Sequence, residues 1–211
     1  MNSLLMSPIE KILAEHTSNK DYDGSNAGVV HVVLDLETLG LAEDAAIISL
    51  GAVGLDKDYQ IVGGFYRAID FRSATFGRSI DKSTLEWWQQ QPIEAWDGLA
   101  FETGCFVVKV FTDFACWLPE GVKLWGNGPE FDNRLLAHAY QQYKFEVPWK
   151  VWNNHSIRTL GLVGEEFLRH AGDVSDLKVK PVVKHHALQD ALAEAIFLRN
   201  VMRNRPEVPN D

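Results

Sequence analysis

Three short stretches of this sequence place acidic and imidazole side chains where they can act together. The first is Asp35-x-Glu37, at the end of the β-branched run VVHVVLDLE. In an extended chain residues two apart share a face, so both carboxylates point the same way. Like charges held together in a buried place must be protonated or neutralised by a cation, and hard oxygen donors suit magnesium or manganese. A strand end whose acids simply face water is the plainer use of such a pair, and the spacing alone leaves both readings open. The second stretch is Phe131-Asp132, opening a helix after Gly126-Asn127-Gly128, whose glycines permit close approach of backbone or ligand. Asp132 alone also fits compensation of the helix dipole in a first turn. The third is His185-x4-Asp190. Five helical steps turn ~500°, leaving the two side chains ~140° apart, so they converge only if His185 lies in the loop before the helix. His186, four residues before Asp190, is the rival partner on the same helical face.

The elements that must carry these residues can be read from periodicity. PIEKILAEH (8–16) has Ile9, Ile12 and Leu13 at helical spacing, and the polar TSNKDYDGSNAG follows as a linker. From Val29 onward, VVHVVLDLE, AIISLGAVGLD and QIVGGFYRAID predict three consecutive strands in an antiparallel meander. DKSTLEWWQQQ (81–91) predicts a helix capped by Asp81, and FETGCFVVKVFTDFACWL (101–118) another. VKLWGN (122–127) is a fourth strand, PEFDNRLLAHAYQQYK an amphipathic helix, and WKVW (149–152) a fifth strand. IRTLGLVGEEFLRH and HHALQDALAEAIFLRNVMRN complete the chain as helices. The class is α/β, with residues 1–28 an N-terminal extension, 29–205 one domain and 206–211 a tail.

Composition bounds what such a domain can do. The chain has 211 residues, 46% of them hydrophobic and 23% charged, which fits one globular domain. Its net charge of −9 argues against a partner held by a whole-surface basic field, such as bulk duplex DNA. Cys105 and Cys116 are too few for a disulfide framework or a structural zinc site. The first residues lack the pattern of a signal peptide, and no run approaches the ~18 apolar residues of a membrane span, so the expectation is a cytoplasmic protein with no membrane partner. Among accessory residues, Trp87 and Trp88 diverge by ~100° on a helix. Core packing is the plainer reading for both, and Trp88 is the candidate that would reach the cleft as a stacking platform. Arg158 is a candidate phosphate contact with a helix-start salt bridge as its alternative, and Lys178, Lys180 and Lys184 run towards His185.

In this order, DLETLG, WGNGPEFDNRLL and HHALQD resemble the three motifs of the DnaQ-like, RNase H-fold 3'-5' exonucleases of the DEDDh class, over about residues 29 to 203. Within that superfamily the WGNG spelling, STLEWWQQQP and IRTL are most similar to the branch containing RNase AS and the phage exonuclease DexA. The resemblance implies an RNase H-like mixed five-stranded sheet, three antiparallel strands and then two more, flanked by helices. It implies two divalent ions, Mg2+ or Mn2+, held by Asp35, Glu37, Asp132 and Asp190, with His185 as general base. The implied reaction hydrolyses phosphodiester bonds at single-stranded 3' ends of DNA or RNA and releases nucleoside 5'-monophosphates. Thr38, Leu39 and Asn127 would contact substrate, and a homodimer is plausible by similarity. Two other functions compete: a phosphodiesterase confined to short oligonucleotides, and a noncatalytic nucleic-acid-binding module. The latter would be expected to lack a carboxylate, and none of the four is missing.

Overall fold

The meander forms as its periodicity predicts: β-branched and other apolar residues recur through all three runs, and a strand buried on both faces needs such a near-continuous apolar sequence. The computed structural model describes residues 8–15, 21–99, 103–167 and 177–204. Its elements in chain order are α1 (Pro8–Glu15), β1 (Tyr22–Asp23), β2 (His31–Thr38), β3 (Ile47–Leu55), β4 (Ile61–Ala68), α2 (Phe71–Thr75), α3 (Lys82–Trp88), α4 (Ile93–Asp97), α5 (Val107–Trp117), β5 (Lys123–Gly126), α6 (Asp132–Gln142), β6 (Asn154–Ser156), α7 (Ile157–Phe167) and α8 (Ala187–Arg203).

One mixed sheet runs in the order β1-β4-β3-β2-β5-β6. The pairs β2–β3, β3–β4 and β1–β4 are antiparallel, whereas β2–β5 and β5–β6 are parallel. The sheet therefore has six strands rather than the expected five. The extra one, β1, is two residues long and lies in the stretch read as linker, where only its pairing with Tyr66 and Phe65 of β4 makes it a strand. WKVW is not the strand expected there. Residues Val151–Asn153 form a single 3-10 turn, and the strand is the polar Asn154–Ser156, held by parallel pairing to β5. The helix expected over 101–118 begins only at Val107; residues 101–102 lie outside the described residues.

The alternation of β2 sorts its side chains. Val32, Leu34 and Leu36 face a core shared with α5 and α6, built around Phe111, Phe114, Leu135 and Tyr140. Val33 faces the other core, shared with Ala187, Leu188, Ala191 and Ala195 of α8. Asp35 and Glu37 continue the Val33 face, so the first pair of acids lies on the side of the sheet that α8 covers. Gly51 of β3, Asp35's partner in the ladder, lets α8 come close: a Cβ there would stand 2.2 Å from the backbone of Ala187 and Leu188. Along the same helix α1 is anchored by Leu13, which is fully buried, by the Gln189 amide of the first turn donating to the Leu13 carbonyl at 2.7 Å, and by a Glu10–Arg199 ion pair nearer the other end. Among the described residues no helix is long and apolar enough to cross a membrane.

Candidate active site

The parallel strands β2 and β5 end on the same edge of the sheet, and in such sheets ligands bind beyond the carboxyl ends of the strands. Asp35 and Glu37 sit at that end of β2, with a register shift between Glu37 and Thr38, the kind of bulge that re-aims side chains at the edge of a site. β5 ends at Gly126, where a Cβ would press to 2.7 Å on Asn133 Oδ1 and 3.5 Å on the Asp132 carboxylate. Asn133 is fully buried, and its amide donates to the Leu124 carbonyl (3.2 Å) and to Asn154 Oδ1 (2.9 Å). These bonds lock the first turn of α6 against β5 and β6, and so fix Asp132, the first residue of that helix.

His185 lies in the loop before α8, as its convergence with Asp190 requires. Its φ of 63° is in the left-handed region, uncommon for a residue with a side chain, and its backbone N–H donates to Asp190 Oδ2 at 2.8 Å. The rival, His186, is buried and stacks on Tyr66 with ring centroids 4.5 Å apart, so it belongs to the core beneath the site.

Asp35, Glu37, Asp132, His185 and Asp190 converge on one open cavity of about 340 Å³, together with Asn127 and Arg158. Glu37, His185 and Asp190 can each bring a ligand atom within 4.8 Å of the others. The electrostatics match the geometry. Burial first, and then neighbouring carboxylates, push Asp35 and Glu37 well above the usual carboxylate range. Burial raises Asp132 to about 7, against the opposing pull of the Leu36 and Asp132 amides and of Arg158. It raises Asp190 to about 6 against the His185 and His186 amides. His185 moves the other way: burial, and then Lys184, lower its pKa, so its imidazole is neutral at pH 7. Several acids that repel one another in a partly dry cavity, with hard oxygen donors and little positive charge, fit a site for divalent cations.

Sequence reasoning missed one member. Glu194 lines the same cavity, one turn beyond Asp190 on α8, and burial followed by Asp132 and Asp190 pushes it up to about 8. The signal was available: Asp190 and Glu194 are four residues apart and share a helical face. The Asn127 side chain hydrogen-bonds Glu194, and the Asn127 carbonyl accepts from the Arg158 backbone N–H at 3.3 Å.

The remaining candidates fall beside this cavity. A second groove, of about 470 Å³, is lined by Glu37, Thr38, Leu41, Trp87 and Phe131. Trp88 also borders it, but is only 1% exposed and donates through Nε1 to the Thr38 carbonyl at 3.0 Å, tying α3 to the end of β2. Trp87, 40% exposed, holds the outward position and meets His185 edge-on with ring centroids 4.7 Å apart. Leu39 is buried in the core, and the exposed leucine of this groove is Leu41. On the opposite flank, Arg158 and Lys178 line a further groove between α7 and α8.

A family model described as the 3'-5' exoribonuclease Rv2179c-like domain matches residues 30–202, most of the chain and all of this site. The chain belongs to that family. Membership makes the Rv2179c-like domain described above an exonuclease domain, in agreement with the resemblance read from its three motifs. It is also 28% identical, over a 160-residue alignment, to an exodeoxyribonuclease of Enterobacteria phage T4, covering 60% of this chain and 68% of the phage protein. Among solved structures, the nuclease domain of 3'hExo, a DEDDh family member bound to rAMP, matches with a TM-score of 0.53 at 12% identity, covering 84% of this chain and 94% of that one. The zinc-bound complex of E. coli ExoI with single-stranded DNA matches with a TM-score of 0.58 at 13% identity, over 82% of this chain but only 40% of ExoI. Cell-death related nuclease 4 gives a TM-score of 0.54 at 14% identity; the Rv2179c-like chain spans 66% of its length. These structural likenesses establish the shared RNase H-like fold.

Proposed function

We propose that this chain is a divalent-metal-dependent 3'-5' exonuclease that hydrolyses the terminal phosphodiester bond of single-stranded nucleic acid and releases nucleoside 5'-monophosphates. The observation that carries this reading is the convergence of the Asp35, Glu37, Asp132 and Asp190 carboxylates with a neutral His185 on one open cavity. Asp35, Glu37, Asp132 and Asp190 are the residues that would hold two ions, Mg2+ or Mn2+. When bound, such ions supply an activated water and stabilise charge on the phosphate and the leaving oxygen.

The protein's own groups account for the rest. His185, kept neutral by burial and by Lys184, accepts the proton from the attacking water. Its position is set from both sides, by its N–H bond to Asp190 and by the edge of Trp87. Arg158, on the cavity wall with Asn127, offers a planar cation to the phosphate. The groove beside Glu37 receives the terminal nucleotide: Thr38 forms its wall, and Trp87 its aromatic face. The sugar is left open: the family description refers to RNA and the phage relative's name to DNA.

The test is one panel of 3'- and 5'-labelled single-stranded RNA, single-stranded DNA and duplex, from dinucleotides to long strands, with Mg2+, Mn2+ or chelator. Stepwise shortening from the 3' end with mononucleotide release and no reaction in chelator is the expected result. Internal cuts, or release unaffected by chelator, would overturn the reading, and activity confined to the shortest substrates would favour a short-oligonucleotide phosphodiesterase instead. Trp87→Ala separates the groove's part: loss of one stacked base, worth about 1–3 kcal/mol, should raise KM for single strands roughly 5- to 150-fold. An unchanged KM would remove Trp87 from the substrate path.

A further inference from the structure

Asp35, Asp132 and Glu194 line the same cavity as the close trio of Glu37, His185 and Asp190 but are not part of it. Glu194 is held there on purpose-built terms. It follows Asp190 by four residues on α8, which puts its side chain over the same face one turn further along. One of its oxygens is engaged by the Asn127 side chain, while Oε2 is shut off from solvent with no hydrogen-bond partner. A buried carboxylate oxygen left without a donor carries the full cost of lost hydration, typically about 1–3 kcal/mol and more when charged, unless something positive meets it. Among the described residues Arg158 is the only cation that acts appreciably on Glu194, and Asp132 is the strongest charge on it and on Asp35 alike. Asp35, Asp132 and Glu194 thus line one cavity beside the close trio, each opposing the ionisation of its neighbours.

We propose that Glu194 is a fifth carboxylate of the metal centre, contributing with Asp35 and Asp132 to the hold on one of the two divalent ions, directly or through that ion's water, with Asn127 as the residue that orients it. This rests on the exonuclease reading above and adds to it a ligand-side residue outside the four-acid set. A merely structural Glu194 would tolerate its neutral isostere with no change in metal uptake; a metal-facing one would not.

The experiment is a calorimetric titration of the full chain with Mn2+ at pH 7.5, comparing wild type, Glu194→Gln and Glu194→Asp. Glu194→Gln keeps the shape and the Asn127 contact while removing a carboxyl group whose ionisation burial and its acidic neighbours oppose, so it should melt in chelator no lower than wild type. Wild type should take up two Mn2+. Glu194→Gln should lose one, or bind it roughly 10- to 100-fold more weakly, as partners around a metal site commonly do when altered. Glu194→Asp, which keeps the charge but withdraws it by one methylene, should fall between them and keeps the test decisive should the glutamine variant fold poorly. In the nuclease assay the Mn2+ concentration for half-maximal rate should rise by the same factor. If both variants bind Mn2+ with wild-type number and affinity while wild type remains an active two-metal nuclease, this inference fails and the exonuclease reading stands. If wild type itself binds no Mn2+ and shortens no nucleic acid, both fail.

Discussion

Asp35→Asn is expected to eliminate nucleotide release and, at the same time, to make the metal-free protein harder to melt. The two effects share one cause. Asp35 sits where charges from Asp132, Glu37, Glu194 and Asp190 converge, and burial and those charges all oppose its ionisation. An asparagine of the same shape relieves that repulsion but cannot neutralise a cation, so activity should fall on the order of a thousandfold or more. In chelator the variant should melt higher than wild type, because the folded protein no longer holds a carboxyl group whose ionisation burial and its acidic neighbours oppose. The same physics sets a pH dependence. Folded-state values of about 6 for Asp190, about 7 for Asp132 and about 8 for Glu194 exceed those of unfolded carboxylates, so between about pH 4 and 8 the folded chain binds more protons than the unfolded one. The contribution of these three acids to the stability of the metal-free protein is therefore fully present below pH ~4 and is lost as pH rises through those folded values; saturating Mg2+ should flatten the decline. Melting curves at pH 5, 6, 7 and 8, with chelator or Mg2+, read all of this. A variant that retains activity, or melts lower than wild type at pH 8 in chelator, would contradict it.

Gly51→Ala should be nearly as damaging without touching any chemical group. The added Cβ would stand 2.2 Å from the Ala187 carbonyl carbon and Leu188 nitrogen and 2.5 Å from the Ala187 oxygen. All three are backbone atoms, so no side chain can swing aside, and the start of α8 must lift from the sheet by more than 1 Å. His185 and Asp190 flank that contact and would move with it. A displacement of this size in a reacting constellation costs on the order of a hundredfold in rate, and overpacking a well-filled core about 1–3 kcal/mol in stability. The measurements are kcat with saturating metal and a thermal melt. Wild-type kcat in a folded Gly51→Ala protein would show that α8 does not need this close seat.

Much of the site was legible because its geometry is short-range. Asp35 and Glu37 share a face by strand alternation alone, and the angular mismatch between His185 and Asp190 forced His185 into the loop where it lies, at a φ of 63°. The meander was equally clear, since its apolar runs are long. What stayed hidden depends on long-range contacts. β1 and β6 are only two and three residues long, strands only because β4 and β5 offer them ladders, whereas WKVW has the composition of a strand but turns instead, with Trp149 buried and donating to Asn154 Oδ1 at 3.0 Å. Adjacent tryptophans on a helix diverge, but which one faces the cleft is decided by where α3 docks; the bond from Trp88 to Thr38 turns Trp88 inward and leaves Trp87 outside. Glu194 was masked by its neighbours, since an acid in the helical stripe ALQDALAEAIF reads as one more solvated position until the sheet beneath α8 is known.

The anchoring of α1 bears on where this domain can be cut. The residues that match the family begin at 30, yet Leu13, Glu10 and the Leu13 carbonyl are inserted against α8 at Gln189 and Arg199, on the very helix that presents Asp190 and Glu194. An expression boundary drawn at the family match would strip the anion from a buried guanidinium and uncover apolar surface beside α8. A fragment made for crystallisation or assay should therefore keep the N-terminal helix, and one cut at residue 30 is expected to melt lower than the full chain.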